Sequence, residues 1–391
     1  MRFRLAQPVF ARLLQAASRI VPSRSPLPIA SGVLLHARDG WLEVTATDLE
    51  MSATLGIPAG VEEPGEAVLP ARFLTDLVRR APATDLELSS SGEALALRLA
   101  WPDADFVIQG MSPEEFPRPG AFPEGAASVS VPGAALARAV RRTVFAASQD
   151  QARPILTGIL LELGRARITA MATDGFRIAR QEVFQEAAEE GGAEESAAAS
   201  APAEAAGAAP GDFGALVVPA RSLDVLVSLG ETEEEIQVAS DGTRLHARGK
   251  GFHFVASLLQ GSYPQVLAAV PAHFPSTWQL DRQELLDACE RVALLGSGRE
   301  QAPLKLQFGD GRLVVTADAP ELGRAREALP PLEEGEPLEI AFNPRFWMEG
   351  LKALEGERVQ VEMSGPLSAA RLRDPEDSSF FYVVMPMRTA S

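Results

Sequence analysis

Three acids recur in similar surroundings and are the first residues that could carry chemistry: Asp48 in VTATDLEMSATLGI, Asp174 in ITAMATDGFRIARQEV and Asp318 in VVTADAPELGRAREAL. Paired carboxylates can divide acid and base roles, so a hydrolase that converges two of these aspartates is one reading of the chain. The other is structural, because an aspartate at a turn accepts a hydrogen bond from backbone two residues on, and each acid belongs to its own repeat. Turn chemistry explains all three with nothing left over, and no catalytic residue is expected. Of the four histidines, His36, His246, His253 and His273, only His246 and His253 are close in sequence, and no metal-ligand spacing exists. Cys289 falls on the apolar side of a helical pattern, as a small core residue rather than a nucleophile. Gly-rich phosphate loops are missing, and Asp39-Gly40, Asp241-Gly242 and Asp310-Gly311 read as hairpin turns. Neither a cofactor nor a metal is expected.

The cations are more informative. Only three of the 36 basic residues are lysine, Lys250, Lys305 and Lys352, so the chain relies on the planar, bidentate arginine. Helical spacing puts Arg12 and Arg19, then Arg72, Arg79 and Arg80, then Arg138, Arg141 and Arg142, and further Arg221, Arg291, and Arg345 with Lys352 on solvent sides of six helices. For one helix a solvated face is the ordinary explanation. Six such faces together could follow a phosphate backbone without reading bases. At the C-terminus, Phe380-Phe381-Tyr382-Val383-Val384 reads as an apolar strand closed by Met385-Pro386-Met387-Arg388. A proline that stops the ladder between two flexible thioethers suits an adaptable peptide-binding surface, and equally a core strand with a frayed end.

These residues sit in repeated units. A second trio follows the acids, LPARFLTDLVRRA from Leu69, VPARSLDVLVSLG from Val218 and FNPRFWMEGLKAL from Phe342, aligning Arg72, Arg221 and Arg345. A third trio precedes each unit as an apolar i, i+1, i+4, i+7 face: Leu13-Leu14, Ala17 and Ile20; Ala139-Val140, Thr143 and Ala146; Leu285-Leu286, Cys289 and Val292. Alternation such as Leu95 to Leu99 and Arg358 to Glu362 marks sheet. Each unit reads strand, helix, strands, helix, strands, which gives three α+β domains of about 120 residues. Residues 1–24 imitate a transit peptide, with no acid before Asp39, yet they supply the first strand and helix of unit one. Residues 186–212 hold seven acids and no Lys or Arg among Ala, Gly, Ser and Pro, and read as a flexible insertion.

With 46% apolar and 23% charged residues over 391 positions, the chain can bury several cores and is not disordered throughout. A single cysteine excludes internal disulfides and fits a reducing compartment, so the cytoplasm is expected. No run approaches the roughly 20 apolar residues of a membrane span. The net charge of −17 argues against a broadly basic nucleic-acid coat, although seven of those charges lie in 186–212.

The threefold repetition, ATDLE and ATDGFRIA after a strand, PILTGILLE from Pro154 and the terminal YVVMPMR together resemble the bacterial sliding clamps, the beta subunits of DNA polymerase III. The resemblance covers the chain except 186–212. It implies an α+β fold of three tandem DNA-clamp domains, each with two helices and antiparallel sheets, at 1–122, 128–272 (with the insertion) and 273–391. Two chains would join head to tail into a ring of six domains, helices lining the hole. The implied function is non-enzymatic: encircling duplex DNA without sequence preference and tethering the replicative polymerase catalytic subunit. A clamp loader complex and other proteins carrying a clamp-binding motif would be further partners, and no membrane is involved. Weak phosphate contacts suit sliding, and outer acidity keeps DNA off the rim.

The resemblance also implies site residues. Arg24 and Gln149 would be loop contacts to DNA beside the helical arginines. A pocket for a partner's short motif, taking its Leu and Phe, would be formed by Leu156, Thr173, Gly175, Arg177, Ile178 and Pro264 on one side. Asn343, Phe346, Leu367, Val384, Met385, Pro386, Met387 and Arg388 would form the other, with Arg177, Asn343 and Arg388 fixing the peptide backbone. Ala268, Ala269 and Phe176 depart from the family's common residues there. At the ring seam Phe106 and Ile108 would pack on Leu294 and Leu295 of the other chain. A monomeric peptide-binding module that never encloses DNA remains a further reading, and three domains per chain suit a trimer as well as a dimer.

Overall fold

The computed structural model describes residues 1–90, 95–164, 166–185, 214–296, 302–319 and 322–388; the expected insertion at 186–212 lies outside them. The chain divides into two compact units. One holds Met1–Ala137 and Arg221–Leu258; the other runs onward from Arg138, with Ala215–Ala220, and again from Leu259.

In the first unit, strand Arg2–Ala6 leads into helix α1, Gln7–Ser18, which has proline in its first turn. Phe10, Leu13, Leu14 and Ala17 recur at the helical period and are buried, so the N-terminal segment is core. Helix α2, Ala71–Arg80, packs beside α1, with Ser18 Oγ and Thr75 Oγ1 2.9 Å apart. A five-stranded antiparallel sheet runs Gly60–Glu63, Arg2–Ala6, Asp85–Ser90, Ala96–Trp101, Ala104–Gln109, with the last strand at its edge. An eight-stranded sheet joins strands of the first two sequence repeats where Met51–Pro58 pairs with Phe252–Ser257, from Leu55 opposite Phe252 to Met51 opposite Ala256.

The second unit repeats this plan. Helix α3 spans Gly133–Arg141 and α4 spans Ala220–Gly230, both at the boundary between units; α5, Arg282–Ala293, and α6, Pro344–Ala353, belong to the second unit. Asp281 caps α5 by accepting Glu284 N–H, and Asn343 caps α6 by accepting the N–H groups of Arg345 and Phe346. An eight-stranded sheet joins the second and third repeats where Arg177–Phe184 pairs with Phe380–Val384, Arg177 opposite Val384 and Gln181 opposite Phe380. A four-stranded sheet runs Gly323–Leu329, Arg312–Ala319, Leu304–Gly309, Leu338–Phe342. The expected hairpins form: Asp39-Gly40 and Asp310-Gly311 put both turn residues at positive φ, while at Asp241-Gly242 only the glycine does so.

The repeated acids behave as turn residues in two repeats. Asp48 Oδ1 accepts the N–H groups of Glu50 and Met51, and Asp174 Oδ1 those of Phe176 and Arg177. Asp318 differs: it lies inside strand Arg312–Ala319 and pairs with Arg324, because there the chain stays extended where the other repeats turn. Among the described residues no cluster of three His, Cys, Asp or Glu could hold a metal, and no helix is long and apolar enough to cross a membrane.

Candidate peptide pocket and basic helix faces

The pocket residues converge in the second unit through one strand pair. Pairing of Arg177–Phe184 with Phe380–Val384 carries the chain past Val384, so that Met385 N–H donates to Phe176 C=O at 2.8 Å and Met387 N–H to Ala341 C=O at 2.7 Å. The Asp174 turn brings Gly175 alongside, with φ of +91°, a backbone that favours glycine. Leu156, Thr173, Ile178 and Val384 are buried beneath, while Phe176, Leu367, Met385 and Met387 leave large apolar surfaces exposed. Pro264 and Arg388 are exposed as well; Phe346 and Pro386 are half-buried. This is a fixed floor with a soft apolar rim.

Two residues expected to hold a peptide backbone are already occupied. Arg177, 4% exposed, donates through Nε to Asp174 at 2.9 Å, through Nη1 to Glu349 and through Nη2 to Phe145 C=O at 2.6 Å. Its guanidinium lies 4.2 Å from the Phe346 ring centroid and 5.7 Å from that of Phe145. Burial alone would lower its pKa, but Tyr382, Glu349 and Asp174 outweigh burial and raise it. Arg177 thus ties the Gly175 turn to α6 and shapes the pocket from behind. Asn343 spends its side-chain oxygen on the α6 cap. Thr173 Oγ1 likewise donates to Arg177 C=O and accepts Gly175 N–H.

Sequence reasoning missed part of the surface. A recess of about 520 Å3 is lined by Leu367, Met387 and Arg388 together with Lys305, Glu339, Ile340, Ala341 and Pro366. These five come from neighbouring strands and a loop that no linear motif connects. Phe176 stood out only as a departure from the family's usual residue, yet it is 62% exposed at the rim.

The expected basic faces fall into two groups. Arg12, Arg19, Arg24, Arg72 and Arg80 are exposed and make no ion pair among the described residues; Arg12 lies on α1, Arg19 at its C-cap, and Arg72 and Arg80 on α2, which packs beside α1. Gln149 and Arg141 are exposed. Carboxylates match further members of the set: Arg79 with Asp76 and Arg221 with Asp48, each at 2.9 Å, Arg291 with Glu327, Arg345 with Glu349, and Lys352 with Glu290. Arg138 is exposed and reaches Glu355 at 2.9 Å and Asp377 at 3.5 Å. Arg142 overturns its assignment to the solvent face. It is 5% exposed, donates to Ala353 C=O at 3.0 Å and Asp377 at 3.2 Å, and lies 4.2 Å from the Phe380 ring centroid. Burial holds its pKa below the ordinary guanidinium value despite Glu355 and Asp377. The reason is that α3 ends at Arg141, so the helical periodicity cannot be carried to the next residue.

The seam residues also divide. Phe106 is half-buried, its ring 5.1 Å from Trp101, and Ile108 is 4% exposed and belongs to its own core. Alternation along the edge strand Ala104–Gln109 turns Val107, 67% exposed, to the other side. Leu294 is 71% exposed and Leu295 half-buried in the turn after α5.

Three consecutive segments match family models: residues 1–119 the N-terminal domain, 130–197 the central domain and 268–388 the C-terminal domain of the DNA polymerase III beta subunit. The chain belongs to this family. It is 31% identical over 384 residues to the beta sliding clamp of Synechococcus elongatus, covering 97% of this chain and 96% of the relative. It is 26% identical to that of Bacillus subtilis over the full length of both. Among solved structures, the DNA polymerase sliding clamp of Bacillus subtilis superposes with a TM-score of 0.88 at 25% identity. A Pseudomonas aeruginosa sliding clamp bound to griselimycin gives 0.87 at 26%; both cover the whole of each chain. The α+β fold of three clamp domains is that of this family, whose members act as processivity factors rather than catalysts.

Proposed function

We propose that the protein is a non-catalytic sliding clamp that encircles duplex DNA as a head-to-tail homodimer and tethers a replicative DNA polymerase for processive synthesis. The observation that carries this reading is the succession of three beta-subunit domains along one chain. Clamp domains at 1–122, 128–272 and 273–391 follow the sequence repeats, and cytoplasmic residence follows from the function. Exposed Arg12, Arg19, Arg24, Arg72 and Arg80, with Gln149 and Arg141, supply sequence-independent phosphate contacts, strong enough to orient DNA and weak enough to let the ring move. The open edge strands Ala104–Gln109 and Gly323–Leu329 would meet across the seam, Val107 and Phe106 of one protomer near Leu294 and Leu295 of its partner.

The exposed rim of Phe176, Leu367, Met385 and Met387 over the buried floor of Leu156, Ile178 and Val384 takes the apolar anchors of a partner's short linear motif. Polymerase, clamp loader and other motif-bearing proteins would compete for it. The test is retention on DNA: with a loader, the protein should stay on nicked circular DNA in high salt and slide off after linearisation. Equal loss from both forms would overturn the encircling mechanism.

A further inference from the structure

The recess beside Met387 lies along an edge strand of the four-stranded sheet. Leu338–Phe342 closes the four-stranded sheet, and its one ladder partner there is Leu304–Gly309. In an antiparallel ladder the N–H and C=O of a residue point to the same side, and the sides alternate along the strand. Ala341 C=O accepts Met387 N–H from the side away from that ladder, so the N–H and C=O of Glu339, two residues earlier, also face the open side. The register puts Lys305 opposite Ala341 and Gln307 opposite Glu339, which places Lys305 and Glu339 on one face of the sheet. Neither Lys305 nor Arg388 makes an ion pair among the described residues, so the recess carries two uncommitted cations against the single acid Glu339. Its 520 Å3 is ample for a short extended segment.

We infer that the partner groove continues past Met387 along this edge and binds an acidic, extended segment flanking the apolar anchors of the same peptide. The segment adds as a strand at Glu339, and its carboxylates meet Lys305 and Arg388. This rests on the reading of the pocket given above, and it makes net charge beside the motif a determinant of which partner binds first.

The test uses fluorescent synthetic peptides with a Leu and Phe anchor and no flank, an Asp-Asp-Glu flank on either side, the same flank with N-methylated backbone, or a Lys-Lys-Lys flank. Titrated into the full-length protein, an acidic flank on one side should tighten binding about fivefold over the bare anchor. The gain should vanish on N-methylation, and in Lys305→Glu the lysine flank should become the favoured one, with an unchanged melting temperature reporting an intact fold. If the bare anchor binds and no acidic flank improves it, the inference fails and the pocket reading stands. If the bare anchor does not bind, the pocket reading fails and this inference with it.

Discussion

Arg177, on the strand that follows the Asp174 turn, is joined through its guanidinium to Glu349 of α6, so one buried cation holds both walls of the peptide pocket. Removing the carboxylate strands that charge in a site where water cannot compensate. Glu349→Gln should therefore cost about 2 kcal/mol in denaturant unfolding, less than for a fully buried pair because Glu349 is partly exposed. It should also weaken peptide binding even though Glu349 itself need not touch the peptide. Unfolding curves and peptide titration of the same variant check both effects.

Met385 and Met387 are exposed at the pocket rim, so truncating them leaves the core intact. The double variant Met385→Ala with Met387→Ala should keep the wild-type melting temperature and lose most stimulation of polymerase processivity on primed circular DNA. Stimulation at the wild-type level would remove these residues from the partner site.

Arg72 and Arg142 were alike in sequence and are opposites in the structure. Arg72→Ala should reduce the slope of log DNA affinity against log salt by about one, the signature of a single phosphate contact. Arg142→Met should leave that slope unchanged and lower the melting temperature, since it removes the ties to Ala353 and Asp377. Salt titrations of DNA binding paired with thermal melts separate the two roles.

At the seam, Val107→Glu or Leu294→Glu should shift the protein toward monomer in sedimentation, because each puts a charge on an exposed apolar position. Ile108→Ala should instead cost about 3 kcal/mol by opening a cavity in a core.

His253 stacks on His246 with ring centroids 5.8 Å apart, and Phe122 sets its edge against both at 6.0 and 6.2 Å. Burial first, then the positive fields of His246 and Arg248, holds the His253 pKa down to about 4. Asp241 stands 3.5 Å from His246, Arg248 pairs with Glu124, and among the described residues no carboxylate pairs with His253. Because the folded pKa lies below the unfolded value of about 6.5, the unfolded chain takes the proton first as pH falls. Stability from the neutral ring is complete above about pH 6.5 and is lost between there and about 4, by about 2 kcal/mol after allowing for partial exposure. Melting temperatures across that range should fall in the wild type and fall less in His253→Phe.

Local signals were read correctly where one element supplies its own reason. The Asp48 and Asp174 turns, the Asp-Gly hairpins, the buried faces of α1 and α5 and the terminal strand all follow from period, turn chemistry and short-range hydrogen bonds. The misreadings share a cause. Arg142 and Asp318 were placed by extending a local period or a repeat past the point where the chain changes conformation.

The sequence by itself determined the threefold repeat, the clamp family and the segments that bear arginines and apolar anchors, because these depend on residue type and spacing. Only the tertiary structure decided which arginines remain uncommitted, that Arg177 braces the pocket instead of lining it, and that Lys305 and Glu339 join Leu367 and Met387 around one recess. Those outcomes depend on strand pairing between residues far apart in the chain, where a carboxylate or an open edge arrives from another repeat and no local pattern records its coming.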